Sequence, residues 1–194
     1  DGRLDLFVNC YDRENVPGDY PKQLYRQDST HRFHDVATEV GLAVPKQQIG
    51  SFAWVDVDKD GLRDLVTFQN EGFFLYRNHG GRFGLETIQL RSLAGTGRIG
   101  HDEGNRWFFD GKIVVADFNL DGYPDLFSAS KRGNALIVNK GGRLAMVDPK
   151  TVGLPDHSST AAWVDYDNDG LPDLFTFPQG LYRQRPDHTF EHTG

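Results

Sequence analysis

The 194-residue chain has a single cysteine, Cys10, and a single methionine. One thiol excludes a disulfide framework and a cysteine-ligated metal site, and it leaves the redox compartment open; a lone cysteine ordinarily packs as a small apolar residue. No run of about 18 apolar residues occurs, so no membrane-spanning helix is expected. The first residues show no basic segment followed by an apolar one, so no signal peptide is visible. Because the chain opens inside a repeated motif, it is expected to be a mature or excised segment. A 3.6-residue apolar period is also missing over any stretch of about 10 to 15 residues, which excludes amphipathic helices as the main building element. Basic residues form no stripe, so nucleic acid is not an expected partner.

What remains is a chain with 38% hydrophobic and 12% aromatic residues, enough to build a core. Its formal charge is −7, but thirteen aspartates sit in four short loops: Asp1, Asp5, Asp56, Asp58, Asp60, Asp64, Asp117, Asp121, Asp125, Asp165, Asp167, Asp169 and Asp173. Without those thirteen carboxylates the charge would be +6. Negative charge packed this densely calls for a cation.

The loops are copies of one another. WVDYDNDGLPDLF, from Trp163, recurs as WVDVDKDGLRDLV from Trp54, as VADFNLDGYPDLF from Val115 and, truncated, as DGRLDLF from Asp1. The aligned glycines, Gly2, Gly61, Gly122 and Gly170, are spaced by 59, 61 and 48 residues, which suits a unit of four short strands. Apolar runs flank each loop at strand spacing, and glycine-bearing turns such as Asn78–Gly81 and Asn139–Gly142 separate later runs. The expected class is therefore all-β, with units at about 1–48, 49–110, 111–158 and 159–194: three full, one partial. An insertion at 91–111 has no counterpart in the other units. Trp54, Trp163, Phe68, Phe127 and Phe175 are core candidates, an aromatic platform for carbohydrate being the alternative use.

Numbered from its first aspartate, the loop reads D-x-[DN]-x-D-G-x-x-D, with side-chain oxygens at positions 1, 3, 5 and 9. Three copies are complete: Asp56, Asp58, Asp60 and Asp64; Asp117, Asn119, Asp121 and Asp125; Asp165, Asp167, Asp169 and Asp173. Glycine at position 6 permits a sharp turn that lets the carbonyl at position 7, on Leu62, Tyr123 or Leu171, face inward as a further ligand. Oxygen-only donors in this number favour Ca²⁺ over Zn²⁺ or Cu²⁺, and over Mg²⁺, which demands a tight octahedron. An EF-hand is excluded, because position 12 is Thr67, Ser128 or Thr176 rather than glutamate and β-formers flank the loops. About three Ca²⁺ ions would bring the formal charge from −7 to −1. His31/His34 and His188/His192 lack the helix that would align them as a zinc pair.

These motifs resemble the FG-GAP/VCBS repeats of integrin-α-type β-propellers, and AWVDVDKDGLRDLV, LYRNHGGRF and FHDVATEVGL further resemble repeats found with ASPIC/UnbV-type bacterial proteins. The resemblance implies a propeller segment of about four blades, Ca²⁺ at 56–64, 117–125 and 165–173, and an extracytoplasmic setting. Propellers of this family usually close with seven blades, so further blades or another subunit are expected to cover the ends. Two functions follow: a non-catalytic module binding a protein or glycan, or the propeller domain of a secreted lyase, phospholipase or alkylating enzyme using the insertion. The polar run His101, Asp102 and Glu103 is the candidate for the second.

Overall fold

The computed structural model describes residues 2–8, 23–43, 49–69, 72–86, 112–131 and 133–194. Cys10 and the insertion at 91–111, with His101, Asp102 and Glu103, lie outside the described residues. The regular structure of the described residues is almost all strand, in four antiparallel meanders. The first sheet is three-stranded: β1 (Leu6–Val8), β2 (Gln23–Gln27) and β3 (Phe33–Asp35). Three four-stranded sheets follow. They comprise β4 (Ile49–Val55), β5 (Asp64–Gln69), β6 (Gly72–Asn78) and β7 (Phe83–Glu86); β8 (Lys112–Ala116), β9 (Asp125–Ala129), β10 (Ala135–Asn139) and β11 (Leu144–Val147); and β12 (Thr160–Val164), β13 (Asp173–Phe177), β14 (Gly180–Gln184) and β15 (Phe190–His192). The leading strands β4, β8 and β12 lie side by side, so each sheet is one blade of a propeller segment.

Period-two alternation decides which neighbour each side chain meets. In the second strand of each blade, Leu65, Leu126 and Leu174 are fully buried against the preceding blade. The next residue points the other way: Val66 and Phe127 are buried against the following blade. Three apolar layers result. Leu24, Val36, Leu65 and Tyr76 form the first, Val57, Phe68, Phe73 and Ile137 the second, and Phe127, Leu136, Leu174 and Phe190 the third. Each large side chain removed from water there contributes about 2 kcal/mol.

Aromatic edges lock the layers. Phe7 meets Phe52 and Trp54 edge-on at 4.9 and 5.7 Å, and Trp163 packs against Phe118 and Phe190 at 6.2 and 6.1 Å. Phe175 departs from the expected core: it is 43% exposed, with Phe177 at 57% and Val164 at 42%. These residues occupy the outward face of the last blade, the face that Val66 and Phe127 direct into a following sheet. Phe175 has the pattern of a core residue and no sheet opposite it.

Two short helical turns were not expected from periodicity, being too brief to show any: α1 (Ala37–Val40) and a 3-10 turn, Pro149–Val152. Each follows a blade's last strand and ends in a left-handed glycine, Gly41 (φ 86°) and Gly153 (φ 84°). A Cβ on Gly41 would lie 2.7 Å from the Phe83 carbonyl oxygen, and one on Gly153 would lie 2.2 Å from that of Phe190. The turn of one blade thus presses its backbone on the last strand of the next, at a distance only glycine allows.

Candidate functional site

Each complete loop bridges a blade's first two strands and is held by its own aspartates. The position-1 carboxylate accepts from two successive backbone N–H groups: Asp60 and Gly61 donate to Asp56 at 3.1 and 3.0 Å, Asp121 and Gly122 to Asp117 at 3.0 and 2.7 Å, and Asp169 and Gly170 to Asp165 at 3.1 and 3.0 Å. The position-5 carboxylate accepts from the position-7 N–H, of Leu62 (2.8 Å), Tyr123 (2.8 Å) or Leu171 (2.9 Å). This curl needs left-handed backbone at positions 4 and 6: Lys59, Leu120 and Asn168 at φ 63°, 54° and 59°, and Gly61, Gly122 and Gly170 at φ 87°, 86° and 86°.

Position 9 joins the loop to its blade. Asp64, Asp125 and Asp173 are fully buried. One oxygen of each accepts from the position-2 N–H, of Val57 (3.1 Å), Phe118 (3.2 Å) or Tyr166 (3.1 Å). The other accepts from the N–H of the last residue of the third strand, Asn78 (2.8 Å), Asn139 (2.7 Å) or Gln184 (2.7 Å). Asp5 of the truncated copy takes the same bond from Gln27 at 3.0 Å. Burial pushes Asp125 up to about 6 and raises Asp64 as well, although their N–H donors act in the opposite direction. Burial disfavours the charged form of such a carboxylate unless a cation lies close, as Arg77 does to Asp64.

Those third-strand residues also reach across to the neighbouring blade. The Asn139 amide donates to the Val57 carbonyl at 2.8 Å, and the Gln184 amide donates to that of Phe118 at 2.8 Å. The loops of the second and third blades are therefore clamped from their own blade and from the next.

Carboxylate oxygens of Asp56, Asp58 and Asp60 lie within 4.8 Å of one another, as do those of Asp165, Asp167 and Asp173. In the third loop position 3 is Asn119, whose amide accepts from the Asp121 N–H and donates to its carboxylate, both at 3.1 Å. The donor chemistry is oxygen throughout, with several anionic groups in a small volume, and it fits a hard divalent cation. No histidine belongs to either cluster. Among the described residues, His34 instead bonds Asp28 at 2.7 Å, and His192 bonds the Gln179 carbonyl. His31 and His188 sit in left-handed turn positions at φ 62° and 61°.

Two arginines enter the clusters from the third strand, and sequence reading passed over them. Arg77 pairs with Asp58 at 3.0 Å and Asp64 at 3.2 Å; Arg183 pairs with Asp167 at 2.7 Å and Asp169 at 3.2 Å. The available signal was the LYR triplet, which recurs just before Gln27, Asn78 and Gln184.

No curated protein matches the chain. Among solved structures, an Agrocybe aegerita lectin, described by its specific recognition of non-reducing terminal N-acetylglucosamine, is similar in fold, with a TM-score of 0.54 and 20% identity. The match covers 96% of this chain and 50% of the lectin, so the chain spans half the lectin's length. A family model described as FG-GAP-like repeat matches residues 1–67 and 117–176, more than half of the chain; the narrower likeness to ASPIC/UnbV-type proteins forms no part of that match. With the blades and their acidic loops in register with both matched regions, the chain belongs to the FG-GAP-like repeat family.

Proposed function

We propose that the chain is a calcium-binding, non-catalytic propeller module that presents its surface to a protein or glycan outside the cytoplasm. The observation that carries this reading is the threefold recurrence of one oxygen-lined loop with its position-9 aspartate buried, its carboxylates gathered in the second and fourth blades, in a fold shared with a glycan-binding lectin. Asp56, Asp58, Asp60, Asp64 and the Leu62 carbonyl would hold one ion. Asp117, Asn119, Asp121, Asp125 and the Tyr123 carbonyl would hold a second; Asp165, Asp167, Asp169, Asp173 and the Leu171 carbonyl would hold a third. The ion would supply charge neutralisation and stiffness. With its donors coming from the protein cage, its part is structural.

The four units at about 1–48, 49–110, 111–158 and 159–194 act as one stack in this reading. A further blade, or another subunit, covers the Val164, Phe175 and Phe177 face. Millimolar Ca²⁺ outside the cytoplasm would keep weak extracellular-type sites filled.

Thermal melts in about 1 mM Ca²⁺ and in chelator test the reading. At ten times the dissociation constant each site adds about 1.4 kcal/mol, so three sites raise Tm by on the order of 10 °C. Asp60→Ala and Asp169→Ala should each remove about a third of that gain, whereas His101→Ala should leave it intact. A melt indifferent to Ca²⁺ would overturn the proposal. An activity abolished by His101→Ala with no change in melt would favour the enzyme reading.

A further inference from the structure

The loops differ in how many carboxylates stand at positions 1, 3, 5 and 9, and the arginines offset the difference. Position 3 is Asp58 in the second blade, Asn119 in the third and Asp167 in the fourth. The residue before the last of the third strand is Arg77, Val138 and Arg183 in the same order. Counting only the side chains at positions 1, 3, 5 and 9 and at that third-strand position, each loop comes to −3; the second loop also carries Lys59 at position 4 and Arg63 at position 8. Among the described residues no lysine or arginine forms an ion pair with Asp117, Asp121 or Asp125, and Val138 is buried in the third apolar layer. Lys59 of the second loop leans toward the third, but its ammonium lies over the Tyr123 ring, 4.4 Å from the centroid.

The pairing is with the variable position in both blades. Arg77 Nη1 lies 3.0 Å from Asp58, and Arg183 Nε lies 2.7 Å from Asp167. Arg77 has further duties, pairing with Glu86 at 3.3 Å and donating to the Gly142 carbonyl of the next blade at 3.2 Å. Arg183 touches only its own loop's Asp167 and Asp169 among the ion pairs of the described residues, on the uncovered side of the last blade.

We propose that Arg77 and Arg183 are built-in counter-ions matched to the aspartate at position 3, each offsetting the extra carboxylate that an incoming divalent cation meets in its loop. The proposal rests on the calcium reading above. Its consequence is that the arginine holds the loop together before the ion arrives and weakens the ion's binding once it does. A single charge a few ångströms from a divalent ion, screened by water and salt, alters affinity roughly tenfold.

Arg183→Gln is the clean probe, with Asp167→Asn added to restore −3. Calorimetric titration with Ca²⁺ should show one of three binding events tightened about tenfold in Arg183→Gln. That event should return to within about threefold of wild type in Arg183→Gln/Asp167→Asn. An Arg183→Gln chain whose events are all unchanged, or one of which is weakened, overturns the proposal. If the wild-type chain takes up no Ca²⁺, the calcium reading fails, and the counter-ion role is then judged by melts in chelator. There Arg183→Gln should lower Tm and the added Asp167→Asn should recover it; no loss, or no recovery, refutes the pairing. Arg77→Gln with Asp58→Asn repeats the comparison at the more buried pair.

Discussion

Gly153 and Gly80 both hold positive φ, yet their neighbours differ. A Cβ at Gly153 would fall 2.2 Å from the Phe190 carbonyl oxygen, while one at Gly80 would meet nothing within 4 Å. Gly80→Ala should therefore lose only the conformational term, about 1 kcal/mol. Gly153→Ala must also move one blade off another and should lose about 3 kcal/mol or more, read from denaturant midpoints. Equal losses would mean that the close approach is unimportant. Leu120 is the reverse case: it holds φ 54° at a position filled by Asn168 in the fourth loop, and it is 54% exposed. Leu120→Asn should relieve left-handed strain and raise Tm by about 2 °C in chelator, because little packing is lost. At this scale the acidic loops were legible, since the D-x-[DN]-x-D-G spacing is local and one repeat checks another. Arg77 and Arg183 were not, because they reach the loop from a strand 13 to 19 residues later in sequence, where the recurring LYR triplet marks the position but not its partner.

At the scale of elements, most strands could be read from the alternation of apolar residues. Lys112–Ala116 before the 117–125 loop and Asp173–Phe177 after the 165–173 loop fall in the apolar runs that flank the loops in the sequence. The helical turns at Ala37–Val40 and Pro149–Val152 could not, because four residues carry no period. Neither could the rivets between blades. Gln184 reads as an ordinary strand-end polar residue, but it is 1% exposed and its amide serves the Phe118 carbonyl of the preceding blade at 2.8 Å. Gln184→Leu would leave that carbonyl unpaired in a dry interface and should lose about 1–3 kcal/mol. The urea midpoint should fall with an unchanged m-value, since the interface weakens without the chain changing its folded extent. An unaltered midpoint would show that the bond across blades contributes nothing. Asn139→Leu, which removes the bond to Val57, should behave as its twin between the second and third blades.

At the scale of the whole molecule, the stack has a repeated interface and exposed apolar residues on both end blades, Leu6 and Phe33 on the first and Phe175 and Phe177 on the last. Phe175 and Phe177 carry the same strand pattern as Val66 and Phe68, which are buried, and sequence alone could not separate them because the difference lies in what stands opposite. Sedimentation velocity should show the chain self-associating as concentration rises, and Phe175→Ser/Phe177→Ser should abolish this without lowering Tm. A lowered Tm would place these side chains in the chain's own core. The blades are held by apolar layers, whereas their acidic loops gather carboxylates that repel one another, and a divalent cation is the proposed compensation. Calorimetric titration of the chelator-treated chain with Ca²⁺ tests it most directly. Three binding events per chain, accompanied by a higher Tm, are predicted; no heat of binding and an unmoved Tm at millimolar Ca²⁺ would contradict it.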